Sequence, residues 1–299
     1  MIRIVTDSAS GITSEYAAQN NVDVISLYVM RHGQATLETE MDMAAFHENL
    51  AEMIDDTPTS SQPAQESFEA YFESCARAGD SVVGIFLSSE LSGTFGCAFA
   101  AAKRVKEKFP HFVCSLIDTQ CACQAEMYSV MDAVEARTEG AGHKHVARAA
   151  LEAVSRSRIM FVPETLEFLI KGGRLNKAAG ALASKLKISP IITTINGKAL
   201  AQEKIRKLTK AIERMFEIYK EDVIKHGLRY VDVAVAGKEN LHLESFKEKV
   251  GSLANIVPEV RFVSPVIATH AGPALGISYM CVEKIENKCD NVEDLLVEI

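Results

Sequence analysis

The stretch VVGIFLSSELSGTFGCAFAAAKR, Val82–Arg104, decides the fold. It opens as a short apolar run rich in β-branched residues, the mark of a buried strand, and it runs into an alanine-rich segment from Gly96 to Lys108 that reads as a helix. Ser88, Ser89, Ser92, Gly93 and Thr94 make the turn between them. A buried strand that passes through hydroxyls and a glycine into a helix is the building unit of an open α/β sheet, and in such sheets ligands bind beyond the carboxyl ends of the strands.

Outward from this unit the alternation repeats. Ile2–Thr6, Val22–Val29 and Val113–Ile117 read as strands, and Met43–Ile54 and Gln65–Ala78 as helices, which predicts a mostly parallel sheet with helices on both faces. After a helix at about Lys144–Ser155 the pattern changes. Ile159–Val162 is a strand, and Ile191–Ile195 and Lys198–Gln202 flank Asn196-Gly197, the strongest short hairpin signal. A helix over Lys207–Lys225, a strand over Tyr230–Ala236, a helix over Leu243–Leu253 and strands near Val260–Ile267 and Ala274–Val282 complete a mixed sheet. Phe262–Val282 holds no Asp, Glu, Lys or Arg, but Pro265, His270, Gly272, Pro273 and Gly276 interrupt it, so two buried strands around a loop are expected there and not a membrane helix. At 299 residues the chain exceeds one ordinary domain. The expected division is an N-terminal α/β domain over 1–155, a C-terminal α/β domain over 156–283, and a charged tail over 284–299 with no partner and no assigned role.

The chain is 47% hydrophobic and 24% charged with 8 prolines, which places it among globular proteins. A net charge of −8 and a pI near 5.6 argue against a nucleic-acid partner. Basic residues concentrate locally: Lys171–Lys210 holds ten Lys or Arg against the single acid Glu203, a net +9 that leaves −17 for the rest. Such asymmetry fits an anionic ligand, an acidic partner or an anionic membrane surface, or simply solvated helix faces. Seven scattered cysteines and a start on strand-like residues at Ile2 predict a reducing, cytoplasmic setting. Cys121 and Cys123 lack further ligands in any zinc spacing, so no metal and no cofactor is expected.

Three strand ends carry small polar residues: Asp7, Ser8 and Ser10; Ser88, Ser89, Ser92 and Thr94; Asp118 and Thr119. Each suits a helix cap as well as a ligand. The second exceeds what a cap requires, because Ser92-Gly93-Thr94 opens a helix whose free N–H groups favour an anion that Gly93 would let approach. No phosphate loop or dinucleotide glycine motif accompanies it, so a carboxylate needs less help there than a phosphate. Thr57–Pro63 is a hydroxyl-rich loop containing Ser60, Arg174 follows the pair Gly172-Gly173, an alanine-rich helix spans Ala178–Ala183, and His270 lies in a tight loop with Gly272 and Pro273.

IVTDSASG, TSSQP, LSSELSGTFGCAFAAA, KGGRL, LKISPII followed by NGK, KIRKLTKA and THAGPALGI occur in this order over about Ile2–Val282, and in this the chain resembles the DegV family. The resemblance implies a DegV-like pair of α/β domains clamping one long-chain fatty acid such as palmitate, stearate or oleate. It also implies a non-enzymatic role: presenting the acid to a separate ATP-dependent fatty acid kinase, which forms acyl phosphate for phospholipid synthesis. Carried over motif by motif, Ser60, Ser92, His270 and Arg174 are the carboxylate site. The family more often has Thr at position 60, Gly at 274 and Asp-Ser at 118–119, where this chain has Ser60, Ala274 and Asp118-Thr119.

Two rival readings predict different chemistry. Ser92, His270 and Asp7 or Asp118 would form a hydrolytic triad acting on a small ester or acyl substrate, although LSGTF lacks the G-x-S-x-G elbow. A phosphotransferase on the same frame would need nucleotide or Mg²⁺, for which no motif is present.

Overall fold

The computed structural model describes residues 1–175, 188–238, 240–286 and 288–299. The strands are β1 Ile2–Asp7, β2 Val22–Ile25, β3 Tyr28–Arg31, β4 Gln34–Leu37, β5 Thr59–Ser61, β6 Ser81–Phe86, β7 Cys114–Asp118, β8 Ser157–Pro163, β9 Ser189–Ile195, β10 Lys198–Ile205, β11 Tyr230–Ala236, β12 Glu259–Phe262, β13 Ala274–Met280 and β14 Leu296–Glu298. The described helices are α1 Ser14–Gln19, α2 Met43–Asn49, α3 Gln65–Ala78, α4 Thr94–Lys108, α5 Gln124–Thr138, α6 His143–Arg156, α7 Glu167–Lys171, α8 Leu208–His226, α9 Leu243–Ala254 and α10 Pro265–Ala271.

The first sheet has the order β14-β7-β6-β1-β2. β1, β2, β6 and β7 are parallel, as the alternating pattern predicts for strands linked by helical crossovers. Helices α3 and α4 cover one face through Phe68, Phe72, Ala98 and Ala102, and α5 and α6 cover the other through Val130, Val146 and Leu151. The second sheet is mixed, in the order β10-β9-β8-β13-β11-β12, with β11 and β12 its parallel pair. Its hairpin turns at Asn196 (φ +47°) and Gly197 (φ +77°), the double positive φ that Asn-Gly supplies. Chain α6 passes directly into β8 at Arg156–Ser157 with no intervening loop.

Three expectations need correction, and a fourth is not tested. Val22–Val29 is two strands in different sheets, because β3 leaves the first sheet to pair with β4 and β5 in a small antiparallel sheet. Ser264 accepts a hydrogen bond from the Ile267 N–H and Pro265 follows at the first helical position, so the predicted strand at Val260–Ile267 stops at Phe262 and the uncharged run is strand, helix α10 and strand. The tail is not partnerless: Leu296–Glu298 pair antiparallel with Ser115–Ile117 on the edge of the first sheet. The predicted helix over Ala178–Ala183 lies outside the described residues.

Helix α5, absent from the sequence reading, is the element between the two sheets, in contact with β1 and β6 on one side and β8 and β13 on the other. Thr6 donates to Glu126 at 3.1 Å from the first sheet, while Tyr128 donates to Asp232 at 2.5 Å and to the Ser278 carbonyl at 3.1 Å in the second. Ser278 also donates to Gln124 at 3.3 Å. Buried on both sides, α5 has polar and apolar residues all round, so no 3.6-residue stripe marks it.

Close backbone approach sets one further condition. A Cβ at Gly276 on β13 would meet the Met160 carbonyl at 2.8 Å and Phe161 Cβ at 2.9 Å on β8. Gly276→Ala is expected to lower unfolding stability by about 1–3 kcal/mol, read as a lower urea midpoint with an unchanged slope.

Candidate functional site

The site is assembled from both sides of the seam. On the first sheet's side, β6 ends at Phe86 and the chain enters a loop pinned by buried acids: Asp7 accepts from the N–H groups of Ala9 and Leu87, both at 2.9 Å, and Asp118 accepts from Ser89 at 3.2 Å and Gln120 at 2.9 Å. These aspartates therefore hold backbone and do not face a ligand. Burial pushes the Asp7 carboxyl up to about 7, and burial with Asp7 nearby raises Glu126 far above the usual carboxylate range. The loop delivers Ser92, whose hydroxyl lies 2.9 Å from that of Thr94. Gly93 has a different use from the one expected: the space beside its Cα is filled by the Gln62 side chain, so glycine here admits Gln62 of the Thr57–Pro63 segment.

On the other side, α7 and α10 interlock through two glycines. A Cβ at Gly172 would overlap the His270 ring, and a Cβ at Gly272 (φ +65°) would overlap the Phe168 ring. Gly173 (φ +71°) then reverses the chain after α7, and Arg174 returns across the seam to donate from Nε to the Leu91 carbonyl at 3.2 Å and from Nη1 to the Gly172 carbonyl at 2.7 Å. His270 sits in the last turn of α10, not in a loop, and its Nε2 is 2.7 Å from Ser60 Oγ on β5. Its Nδ1 is buried without a hydrogen-bond partner among the described residues. Burial, and secondarily the Arg174 charge, push His270 down to about 3, so the ring is neutral at pH 7. Among the described residues no carboxylate lies within 4 Å of the Arg174 guanidinium.

Ser60, Ser92, Arg174 and His270 line one narrow cavity of about 80 Å³ together with Thr193 and Thr194, and its remaining walls are apolar: Leu27, Leu87 and Cys123 from one side, Ile159, Phe161 and Ile267 from the other. A second cavity of about 40 Å³ adjoins it, sharing Cys123, Ile159, Phe161, Ile267 and Ala271, and extends to Ala234, Ala236 and Gly276. Outside the polar end, Ser92 and Arg174 also border an open cleft of about 550 Å³ with Ser89, Gly173 and Lys198. The geometry is thus an apolar slot with a polar head end that opens onto solvent.

The triad is not assembled. Ser92 bonds to Thr94, His270 bonds to Ser60, and Asp7 and Asp118 are committed to backbone N–H groups. Among the described residues no group of three or more His, Cys, Asp or Glu is placed to hold a metal ion, and no helix is long and apolar enough to cross a membrane.

The family model described as "Uncharacterised protein, DegV family COG1307" matches residues 1–281. The chain belongs to the DegV family. A DegV domain-containing protein of Clostridium perfringens is 34% identical over 281 residues, covering 93% of this chain and 98% of that one. Among solved structures, DegV of Bacillus subtilis, described as a fatty acid binding protein, superposes with a TM-score of 0.81 at 30% identity over 94% of this chain and 99% of that one. A DegV family protein from Thermus thermophilus, whose structure is described by its fatty acid binding, gives 0.79 at 26% identity over 94% and 99%. The DegV match leaves the residues beyond Cys281 outside it.

Sequence reasoning named Ser60, Ser92, Arg174 and His270, and missed Thr193, Thr194 and Cys123 of the cavity wall and Gln62 beside Gly93. Cys123 lines both cavities with φ +59°, a conformation rare for a residue with a side chain, and no sequence signal announces it.

His270 gives a pH test. The unfolded ring gains a proton near pH 6.5 and the folded one only near 3, so folding is opposed increasingly as pH falls through this window. The stability difference between wild type and His270→Gln, measured by urea unfolding, is expected to shift steadily against wild type below pH 6.5 and to be flat above it; Asp7, common to both proteins, cancels.

Proposed function

We propose that this protein binds one long-chain fatty acid and presents its carboxylate to a separate ATP-dependent fatty acid kinase, for acyl phosphate formation and phospholipid synthesis. The observation that carries the first half is the convergence of Ser60, Ser92, Arg174 and His270 at one end of an apolar slot. The named binding activity of the Bacillus subtilis and Thermus thermophilus relatives supports it. Palmitate, stearate and oleate are the ligands in view. A sixteen-carbon chain burying its methylenes at ~0.8 kcal/mol each gains on the order of 11 kcal/mol, so the tail supplies affinity and the head supplies position. Arg174 provides the charge complement, the Ser60 and Ser92 hydroxyls donate to the carboxylate, and His270 orients Ser60.

The second half rests on the resemblance and on access. The open cleft outside Ser92 and Arg174 leaves a carboxylate oxygen reachable by a group carried on another protein, and this chain has no phosphate loop of its own. The protein itself is then a carrier and not an enzyme. Lys198, Lys204, Arg206, Lys207 and Lys210 are exposed, a basic surface suited to an acidic kinase face or to transient contact with anionic membrane at the cytoplasmic side, while Lys177, Lys185 and Lys187 of the same segment lie outside the described residues.

Native mass spectrometry of the freshly purified protein, followed by extraction, is expected to yield one fatty acid per chain. An empty protein that also refuses added palmitate and oleate sinks the carrier reading, and p-nitrophenyl ester turnover lost in Ser92→Ala would favour the hydrolase. Ser92→Ala is expected to weaken fatty acid binding by roughly 10- to 100-fold, the worth of one charge-assisted hydrogen bond. Charge reversal at Arg206 and Lys210 is expected to slow phosphorylation by the kinase while leaving fatty acid binding unchanged; equal phosphorylation rates would remove the docking role.

A further inference from the structure

The residues beyond the family match cross from one sheet to the other. Ile285 is seated in the core of the second sheet and its N–H donates to the Ser155 carbonyl at 2.9 Å. The chain then runs over the Asn196-Gly197 turn: the Asn196 N–H donates to the Lys288 carbonyl at 3.1 Å, Asn196 Nδ2 donates to Asp290 at 2.7 Å, and the Asp290 N–H donates to Asn196 Oδ1 at 2.9 Å. From there it joins the first sheet. Cys289, Val292, Leu295 and Leu296 pack in the cluster of Ile117, Val146 and Leu151, Arg148 pairs with Glu293 at 2.5 Å, and β14 adds to β7.

The turn that it clips is also the one that meets the loop leading to Ser92 at the head of the cavity. Ser88 donates to the Gly197 carbonyl at 2.8 Å, and a Cβ on Gly197 would lie 2.6 Å from Ser88 Oγ and 3.2 Å from Glu90 Cγ. The hairpin of the second sheet is therefore pressed onto the Ser88–Ser92 loop of the first, and the tail ties the two together from outside. Because the cavity of about 80 Å³ is walled by both sides of the seam, an acyl chain passes in or out when these walls part. Parting them strains the tie. At the crossing itself Lys288 is only 1% exposed, and its Nζ has no hydrogen-bond partner among the described residues, so the tie carries an unsatisfied buried polar group at its midpoint.

We propose that residues 282–299 are a strap that holds the two sheets closed on the cavity and sets how fast its occupant exchanges, Lys288 keeping that strap releasable. The exchange part rests on the fatty-acid reading above; the strap itself does not. Asp290→Ala with Glu293→Ala removes two side-chain anchors of the tail, those to Asn196 and Arg148, and spares every apolar residue of the tail. Stopped-flow mixing with a fluorescent fatty acid is expected to show association and release both roughly 5-fold faster in this variant with Kd unchanged, since the anchors are the same with the cavity full or empty. Lys288→Met is expected to slow both rates. Unaltered rates in both variants, or a weaker Kd with unaltered association, would overturn the exchange role. Hydrogen exchange of the ligand-free protein tests the strap separately: segments 86–93 and 193–200 are expected to exchange faster in the double variant. Unchanged protection there overturns the strap whatever the protein binds, and faster exchange in a protein that takes up no fatty acid keeps the strap and removes the fatty-acid reading.

Discussion

Everything at the seam depends on one requirement: the buried polar groups of α5 need partners that no single sheet supplies. Glu126 takes a hydrogen bond from Thr6 on β1, while Tyr128 and Gln124 reach Asp232 on β11 and Ser278 on β13. Losing such a bond in a buried place costs about 1–3 kcal/mol, so these bonds favour the setting of the two sheets that makes them, even though Gln124 Nε2, Glu126 Oε2 and Ser129 Oγ stay without a partner among the described residues. In that setting the Ser92 loop from one side lies within reach of Arg174 from the other, whose Nε bonds to Leu91. The head of the cavity forms where the α5 bonds hold the two sides together.

Within that frame, chemistry is tuned by crowding more than by charge pairing. His270 stands in contact with Gly172 and bonded to Ser60, and burial first, with the Arg174 charge second, keeps it neutral. A neutral imidazole orients the Ser60 hydroxyl without adding charge, which leaves Arg174 as the charged side chain lining the cavity among the described residues. The acids of the first sheet, Asp7 and Asp118, spend their oxygens on loop N–H groups, and neither lines the cavity.

The sequence made visible the elements that have a simple pattern. The strands of the parallel sheet, helix α3 at Gln65–Ala78 and the Asn196-Gly197 hairpin follow one each: a continuous apolar run covered on both faces, a single buried stripe and a defined turn. Helix α5 does not, being buried on opposite faces with Gln124, Glu126, Ser129 and Asp132 among its buried residues. Helix α10 was hidden for another reason: Gly272 and Pro273 look like the centre of a loop, and only the pairing of Ser264 with Pro265 announces the short helix before them. Of the cavity, the polar end was legible because hydroxyls, Arg174 and His270 sit in motifs. Its apolar walls are ordinary core residues, indistinguishable in one dimension from any other leucine or isoleucine.

The place of β14 has a consequence for biosynthesis. The first sheet contains Ile2–Asp7 and also Leu296–Glu298, so its outer edge at β7 stays unpaired until synthesis has passed from Asp118 through the whole second sheet to Glu298. Until then Cys114–Asp118 present an open edge of apolar residues, the kind of surface on which nascent chains associate. The second sheet, whose strands lie between Ser157 and Met280, is complete earlier. The order of translation therefore leaves the amino-terminal sheet, although first to leave the ribosome, as the last to be finished.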